Sequence, residues 1–404
     1  MQLIHDDDKI SEEQLIYLRQ FFTILPFIFK KQYQFLRLFI DTTKQLYKQE
    51  IRIQILQNLE NYGVYWDNNE QSLSATNFKD LQYQLAQQTN PDPIKYEDKV
   101  QKFIAQPEDI DILKIRPRLV LIDSQSQPIY RDLWSYASSF WSIPVTVGYG
   151  RRIRFLVFDE HNNKLIGIVG LCDPIIGLDI RDRVSIGWTK DQKLERLYNC
   201  MTAYILGAIP PYNLVLGGKL IALTLLFPEV QKIFLSKYGD TALDRNKFPY
   251  LAYIDTLGAF GKSAIYTKLM NWEFIGYTKG QSHIHITANG SWELIKQLVP
   301  ENIFNTYKYG DGPNWKIRIL KHGLREIGFP EDMLSIGWKR GYYRCPLAEN
   351  WKDFLVGNTD KLRLIQHKKS ELISYWYDRW ILPRLDKIQA QLTSDPPTIK
   401  DTSQ

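Results

Sequence analysis

The chain has 404 residues, of which 51 are basic and 45 acidic, so its formal net charge is +6. This length predicts two or three domains, and the small positive surplus permits contact with nucleic acid without requiring it. The three cysteines are far apart and show no CxxC spacing, which argues against a disulfide framework or a zinc knuckle. The acidic start is unlike a signal peptide, and the most apolar segments, 21–29 and 214–227, are too short for a membrane span. We therefore expect a cytoplasmic protein without a membrane partner.

The first region, residues 1–95, is predicted to be helical. Ser11 and the three residues after it form a capping box, which indicates a helix start. Pro26 is expected to kink or end this helix, and the apolar spacing from Lys30 to Asn61 predicts one or two further amphipathic helices. Their aromatic stripes are more typical of a core, or of a surface that packs against a partner, than of a base-stacking platform. The breaker at residues 90–93 marks the first domain boundary.

The second region, residues 96–300, is predicted to be an α/β (α+β) domain built on a mixed central sheet. A short strand over 119–123 precedes a clear hairpin signal over 153–171. An insertion near 173–190 follows, and then a buried strand over 203–209, because that segment is apolar on both faces. The remaining predicted elements are helices over 191–200, 227–238 and 262–269 and strands over 250–256, 274–277 and 283–287.

The turn after the buried strand is a candidate anion site. A Pro-Pro turn leads to Gly217 and Gly218, and an apolar helix begins near Lys219. The first N–H groups of a helix are free and lie at the positive end of its dipole. Two interpretations stay open for Lys219, since its side chain either points to water or supplements the N–H groups in holding a phosphate. We keep these three residues as candidates for binding a cofactor or donor of unknown identity.

The order of elements from Arg151 to Thr287 resembles the core of the GNAT acyltransferase fold. The closest echo lies in 263–276, where the Tyr266-Thr-Lys-Leu segment is similar to a pattern of GNAT enzymes. The resemblance implies that Tyr266 serves as general acid to a departing thiolate. It also implies that 214–219 is the counterpart of the coenzyme loop, in which Gly217 is the position that matches.

A longer resemblance runs from Ile115 to Leu385. Its segments are 134–144, 148–154, 171–174, 181–188, 207–212, 217–220 and 339–343, and they resemble the DruA family of the Druantia anti-phage defence systems. Several unrelated short segments in the same order make this resemblance specific. It implies a bacterial defence role beside a large helicase, and it implies no particular chemistry.

Basic residues are concentrated in two places that would suit a nucleic-acid interface. Arg151, Arg152 and Arg154 follow a Gly-Tyr-Gly loop, where guanidinium groups can reach phosphates or can instead pair with carboxylates at the sheet edge. The third region, residues 301–404, interleaves cations with aromatic rings, among them Lys339, Arg340, Arg379, Arg384, Trp376 and Trp380. This pattern is typical of a surface that binds phosphates and stacks bases, and equally of a solvated helix face above an aromatic core. We select Lys339 and Arg340 from it as nucleic-acid-binding candidates.

Two further sets of residues are candidates for chemistry. Arg181 and Asp182 lie in the insertion, which the resemblance to the GNAT fold implies would lie over the central cleft. We therefore keep them as catalytic candidates, with a salt-bridged loop lock as the competing interpretation. His283 and His285 alternate along one predicted strand, as metal ligands would. Asp255 is a conceivable third ligand, but a hydrogen-bonded histidine pair is favoured, and we predict no metal site.

Three classes of function follow. The leading one is a component of an anti-phage or mobile-element system that engages nucleic acid, in the first place DNA, through basic surfaces. The second is a transferase that uses an acyl or nucleotidyl donor at the Gly217–Lys219 turn. The third is a non-catalytic scaffold that binds only other defence proteins.

Overall fold

The structure is a computed structural model, and it describes residues 12–61, 63–67, 72–75, 77–148, 150–278, 286, 290–310, 315–334 and 339–394. The chain divides into two compact units. The first unit is formed by 1–61 and 289–333, and the second by 62–288 and 334–404. Both units therefore combine segments that are distant in sequence.

The described elements are a long first helix followed by shorter helices and strands. The helices are α1 (Glu12–Glu60), α2 (Phe78–Thr89), α3 (Ile94–Val100), α4 (Pro128–Ser138), α5 (Lys190–Arg196), α6 (Gly217–Thr224), α7 (Pro228–Asp244), α8 (Ser291–Gln297), α9 (Glu301–Tyr309), α10 (Trp315–Glu326), α11 (Trp351–Leu355), α12 (Lys369–Trp376) and α13 (Leu385–Thr393). The strands are β1 (Val64–Asp67), β2 (Ser72–Ala75), β3 (Pro117–Ile122), β4 (Arg152–Asp159), β5 (Leu165–Cys172), β6 (Cys200–Ala208), β7 (Tyr253–Leu257), β8 (Glu273–Tyr277) and β9 (Gly341–Pro346). Two π-helical segments, Ile180–Ile186 and Tyr377–Ile381, lie in the second unit.

A seven-stranded mixed sheet organises the second unit. Its strand order is β3-β4-β5-β6-β7-β9-β8, and neighbouring strands are antiparallel except for β6 and β7, which are parallel. Strands β1 and β2 form a separate antiparallel pair. The prediction of a mixed α/β fold with a helical N-terminal region is confirmed.

The core of the second unit lies on both faces of this sheet. Side chains alternate across a strand, so Phe155 and Val157 of β4 pack in the cluster that contains α6, while Leu156 and Phe158 pack in the cluster that contains α4. Strand β5 is buried along its whole length. Each such Leu, Val or Phe side chain contributes roughly 1.5–3 kcal/mol when it leaves water. Both faces are therefore covered, which explains the continuous apolar runs in the sequence.

The first unit is helical. Ile51, Ile55 and Leu59 recur every four residues in the last part of α1 and are buried, and α1 packs against α8. At the same end Lys48 pairs with Glu326 at 2.7 Å, and the guanidinium of Arg52 stacks 3.9 Å from the ring centre of Phe329. Within the described residues, no helix of either unit is long and apolar enough to cross a membrane.

The structure corrects three details of the predicted elements. Helix α1 continues through Pro26 instead of ending there, because the carbonyl that loses its hydrogen bond on an exposed helix remains open to water. Residues 264–268 form turns and not the predicted helix. Strand β9 was not predicted; its residues belong to the region 301–404 that was described only as basic and aromatic-rich, but they lie in the sheet. The predicted strand over 283–287 falls largely outside the described residues.

Candidate functional site

The turn before α6 is tightly packed. A Cβ atom on Gly217 would lie 2.5 Å from the carbonyl oxygen of Tyr212, so this position requires glycine. Leu216 has a φ of +56°, and its carbonyl accepts a hydrogen bond of 3.3 Å from the indole N–H of Trp376. A Cβ on Gly218 would meet the side chain of Ile265 at 3.2 Å. The glycines therefore serve close packing at the start of α6, and the approach to Gly218 is narrow.

Lys219 holds a neighbouring turn in place. Its ammonium donates hydrogen bonds to the carbonyl oxygens of Ala264, Ile265 and Thr267 at 2.5, 3.0 and 3.2 Å. These bonds use all three of its N–H groups, and the residue is 7% exposed. Burial, with a smaller contribution from two nearby arginines, lowers the pKa of Lys219 to about 8. The Lys219 side chain therefore does not point to water, and its N–H groups are occupied by carbonyl oxygens and not open to a phosphate.

Lys219 also belongs to a group of cations that we call the Trp380 cluster, formed by Lys219, Arg379, Trp380 and Arg384. The ammonium lies 3.9 Å from the indole ring centre, and the guanidinium carbons of Arg379 and Arg384 lie 5.5 and 5.4 Å from it. Both arginines are exposed, and neither forms an ion pair with a carboxylate of the described residues. The buried indole N–H of Trp380 has no hydrogen-bond partner there. The cluster thus gathers three positive charges around one ring, and no acid in the described part of the chain pairs with them.

Tyr266 lies inside an aromatic stack. Its ring centre is 4.7 Å from that of Trp272 and 4.8 Å from that of Tyr343. Burial raises the pKa of Tyr266 to about 12, against a hydrogen bond with Thr256 that lowers it. The residue is 6% exposed. Its hydroxyl is therefore an acid that keeps its proton, held in a packed environment.

Arg181 and Asp182 lie on the π-helical segment Ile180–Ile186, between β5 and α5. The guanidinium of Arg181 contacts one carboxylate oxygen of Asp182 at 2.7 Å and donates to the carbonyl of Ile176 at 3.1 Å. The other carboxylate oxygen of Asp182 pairs with Lys193 at 3.1 Å, and the indole N–H of Trp188 donates to the first at 3.2 Å. Arg181 is fully buried, although one of its terminal nitrogens has no partner among the described residues. This geometry fits the loop-lock interpretation.

A chain of buried hydroxyl groups links this segment to the sheet. Asp255 of β7 accepts hydrogen bonds from Thr202 at 2.5 Å and from Tyr342 at 2.9 Å. The Tyr342 hydroxyl contacts that of Tyr253 at 2.8 Å, and Tyr253 in turn contacts Ser185 at 2.8 Å. We call Arg181, Asp182, Asp255 and these partners the buried polar cluster.

Charges inside the buried polar cluster depend on one another. Burial raises the pKa of Asp255, and the positive charge of Arg181 opposes that rise. Burial would lower the pKa of Arg181, but Asp255 and Asp182 outweigh it, so the net shift is upward. Burial and the negative charge of Asp255 raise the pKa of Tyr342 well above its usual value. Arg181 therefore stays charged, and its charge opposes the rise in the pKa of Asp255.

The three arginines after the Gly-Tyr-Gly loop have different environments. Arg151 donates to Asp173 at 2.7 Å, and its guanidinium lies 3.7 Å from the ring centre of Tyr198. Arg154 donates to the Tyr204 hydroxyl at 3.2 Å. Arg152 is exposed. The carboxylate pairing considered as an alternative is thus observed for Arg151, and Arg152 is the member of the trio that faces solvent.

Lys339 and Arg340 also have different environments, one exposed and one engaged with the backbone. The Arg340 guanidinium donates to the carbonyl oxygens of Gly258 and Leu257, both at 3.0 Å, and burial lowers the pKa of Arg340 to about 10. Lys339 is exposed. Arg340 therefore fastens the end of β7 to β9, and Lys339 is the side chain open to a partner.

The histidine pair considered as a metal site lies in a part of the chain that the structure does not describe. His283 and His285 fall outside the described residues. Asp255, the conceivable third ligand, is engaged in the buried polar cluster. Among the described residues no three His, Cys, Asp or Glu side chains are grouped as metal ligands.

Sequence reasoning missed two features of this unit. Asp255 was considered only as a metal ligand, whereas it is the centre of the buried hydroxyl chain. The Trp380 cluster was missed as a unit, although its arginines were named in the basic aromatic pattern. The spacing of Arg379, Trp380 and Arg384 was the available signal, but nothing in the sequence links them to Lys219, 160 or more positions earlier.

Comparison with known proteins identifies the family. A family model described as Druantia protein DruA matches residues 67–357. The curated Druantia protein DruA of Escherichia coli (strain UMEA 4076-1) is 37% identical over 299 residues, which cover 71% of this chain and 73% of that protein. No solved structure matches the chain significantly. Both the extent of the family match and the identity to its curated member show that this chain belongs to the DruA family of Druantia anti-phage defence systems.

Proposed function

We propose that this chain acts in Druantia defence by binding nucleic acid through the Trp380 cluster, on a GNAT-like scaffold. The observation that carries the proposal is the gathering of Lys219, Arg379 and Arg384 around one indole, with no carboxylate of the described residues paired to them. Like charges held together raise the free energy of the folded state, and a bound anion offsets this cost. The lowered pKa of Lys219 has the same origin in part, since both arginines contribute to it.

A polyanion fits this cluster better than a small phosphorylated molecule. The N–H groups of Lys219 are occupied by carbonyl oxygens, so Lys219 contributes positive potential without a direct hydrogen bond. Arg379 and Arg384 are exposed. One terminal nitrogen of Arg384 donates to the carbonyl oxygens of Arg379 and Trp380, and the remaining N–H groups of the two guanidinium groups suit the oxygens of a phosphodiester. Arg152 and Lys339 are further exposed cations of the same unit. We propose that they extend the phosphate-binding surface.

The GNAT-like part of the proposal rests on the order of elements. Strands β4 and β5 form a hairpin, an insertion follows, and β6 leads through the glycine turn into α6 before the parallel strand β7. This is the first part of the order on which the resemblance was based; where that order continues with a helix over 262–269, residues 264–268 form turns. On such a scaffold the buried polar cluster would hold the insertion, and the Trp380 cluster would lie beside the glycine turn.

Salt-dependent DNA binding tests the proposal. Binding of single-stranded and duplex DNA by the full chain, measured by filter retention at several salt concentrations, is expected to weaken with a log-log slope of roughly −0.9 per phosphate contacted in duplex DNA. Replacing Arg379 and Arg384 by Ala is expected to reduce the steepness by about two and to weaken all sequences alike. The variant with Lys at both positions keeps the charge and should retain most of the salt dependence of the parent chain.

A matched control separates this surface from general charge loss. Lys114 and Arg363 are exposed cations that each pair with a carboxylate, Asp111 and Glu349. Replacing these two by Ala changes the net charge equally and should leave the slope close to that of the parent chain. Equal losses in both variants, or no DNA retained at low salt, would contradict the proposal.

The transferase alternative rests on the likeness of residues 214–219 to a coenzyme loop, and the packing of Gly217 against Tyr212 is an internal contact that does not support it. Donor binding would raise the melting temperature by mass action, so a thermal-shift measurement with acyl-coenzyme A and nucleotides tests it. The third class, a scaffold for other defence proteins such as a helicase, is expected to show neither DNA affinity nor a donor shift.

A further inference from the structure

The first part of α1 exposes a long apolar surface. We call residues 16–47 the N-terminal arm; at 1.5 Å per residue it is about 50 Å long. Every side chain of the arm is exposed except that of Leu25, which is half-buried. Its phenylalanines expose between 57% and 71% of their surface, namely Phe21, Phe22, Phe27, Phe29, Phe35 and Phe39. At on the order of 100 Å² each they present roughly 600 Å², the upper end for the largest apolar patch of a typical monomer.

The apolar side chains lie along one side of the arm. Two rows repeat every seven residues, which is close to two turns of an α-helix. The rows consist of Phe21, Ile28 and Phe35, and of Phe22, Phe29 and Leu36. Consecutive residues differ by about 100° around the helix axis, so the two rows are adjacent. Ile24 and Tyr33, both more than half exposed, flank the rows, and the apolar side therefore covers about half of the circumference.

The other side of the arm is basic. Arg19, Lys30, Arg37 and Lys44 are separated by 11, 7 and 7 residues, which correspond to about three, two and two turns. They form one line along the side that faces away from the two apolar rows. The arm as a whole contains five basic residues and one acidic residue, Asp41. It is therefore an amphipathic helix whose polar side carries predominantly positive charge.

We propose that the N-terminal arm lies in the plane of an anionic phospholipid bilayer surface. Such a helix inserts its apolar side about 5–10 Å into the boundary between headgroups and acyl chains. Because an α-helix is about 10–12 Å across, this depth covers the apolar half of the arm. Lysine and arginine side chains extend along the helix to reach the lipid phosphates. A protein groove over the apolar rows would not use these cations.

This mode of contact does not require a transmembrane segment. The sequence predicts no membrane partner because its apolar segments are too short to span a bilayer, but a helix that lies on the surface does not need that length. Basic amphipathic helices are typical of such surface contact.

Cosedimentation of the full chain with vesicles is the experiment. We expect binding to vesicles of phosphatidylglycerol and phosphatidylethanolamine, and binding on the order of tenfold weaker to vesicles of phosphatidylcholine alone. Replacing Phe22 and Phe29 by Gln is expected to lower the partition coefficient on the order of tenfold for each position. Glutamine is a good helix former, and both positions are exposed, so folding should be nearly unaffected.

A second pair of variants tests the basic line. Arg19→Gln with Arg37→Gln is expected to weaken binding to the anionic vesicles roughly fivefold for each position at low salt, and to leave binding to phosphatidylcholine nearly unchanged. Lys114→Gln with Arg363→Gln is the matched control, because it removes two exposed cations of the second unit. This control should bind the anionic vesicles like the parent chain. Equal losses in both pairs would overturn the proposal.

The remaining outcomes separate the arm from other surfaces and other partners. Replacing Arg379 and Arg384 by Ala should leave vesicle binding close to that of the parent chain; its loss would assign the lipid contact to the Trp380 cluster and overturn the proposal. A chain that stays in the supernatant with every vesicle does the same. Self-association that the Phe22 and Phe29 replacements abolish, without any vesicle binding, would show that a second copy covers the arm.

Discussion

Replacing Arg181 by Met distinguishes a structural from a catalytic role for the buried polar cluster. Removing one partner of a buried ion pair costs about 3–5 kcal/mol, because the remaining charge stays buried. Here the Asp182 side chain is 17% exposed and keeps Lys193 as a partner, which places the loss at the lower end. Asp255 also loses the positive charge that opposes its raised pKa. We therefore expect the free energy of unfolding to fall by about 3 kcal/mol.

Arg183→Met is the matched control. Arg183 lies on the same π-helical segment and pairs with Asp179, but its side chain is 75% exposed. An exposed ion pair contributes at most about 1 kcal/mol. Urea denaturation followed by tryptophan fluorescence should therefore give a midpoint close to that of the parent chain for Arg183→Met and a clearly lower one for Arg181→Met.

Equal midpoints for the two variants would exclude a structural role of the Arg181 ion pair. A catalytic Arg181 would instead leave unfolding within about 1 kcal/mol of the parent chain, as substitutions outside the short list of disruptive mechanisms do, while anti-phage protection is lost. Measuring protection and unfolding on the same variants separates these outcomes. Asp255→Asn combined with Arg181→Met removes both charges and should lose less stability than the sum of the single changes.

The glycine turn, the buried tyrosine and Lys219 give three further expectations. Gly217→Ala should lower the free energy of unfolding by a few kcal/mol, because its Cβ would lie 2.5 Å from a carbonyl oxygen. Gly218→Ala should lower it less, because its Cβ would contact only a side chain. The midpoints of urea denaturation compare the two variants. Tyr266→Phe keeps the aromatic stack and loses one hydrogen bond, so a loss of about 1 kcal/mol with full anti-phage protection is expected, and lost protection would favour the acid role. Because the pKa of Lys219 is lowered from 10.5 to about 8, the unfolded chain binds more protons between these values. Stability relative to Lys219→Met should therefore rise with pH in this window, by at most about 1.4 kcal/mol per unit, and a flat difference would contradict the shift.

The elements that the sequence predicted best are those with strong local patterns. The hairpin of β4 and β5 was predicted within one residue at each end, because apolar runs and an Asn-rich turn are local signals. Strand β9 was missed because Tyr342 and Tyr343 are followed by Arg344, and this segment was taken as part of a basic aromatic surface. Its place between β7 and β8 is set by tertiary pairing, which no local window contains.

Side-chain partners were harder to predict than elements. Arg151 and Arg340 were selected because they are cations in suggestive segments, yet their groups donate to Asp173 and to carbonyl oxygens of β7 and the residue after it. The sequence offers no means of distinguishing a paired arginine from a free one, since the pairing residue lies 22 to 83 positions away. The three carbonyl partners of Lys219 were likewise not predictable, because they lie far from it in sequence.

The position of Lys219 links the donor and nucleic-acid hypotheses through one physical difference. A donor phosphate bound at the glycine turn needs direct N–H contacts. The N–H groups of Lys219 already donate to the carbonyl oxygens of Ala264, Ile265 and Thr267. A phosphate backbone passing Arg379 and Arg384 needs only the positive potential of Lys219, because the arginines supply the hydrogen bonds. Lys219→Gln should thus reduce DNA affinity modestly and flatten the salt dependence, while Lys219→Arg should preserve both. Loss of a donor-dependent thermal shift without any change in DNA binding would instead favour the transferase.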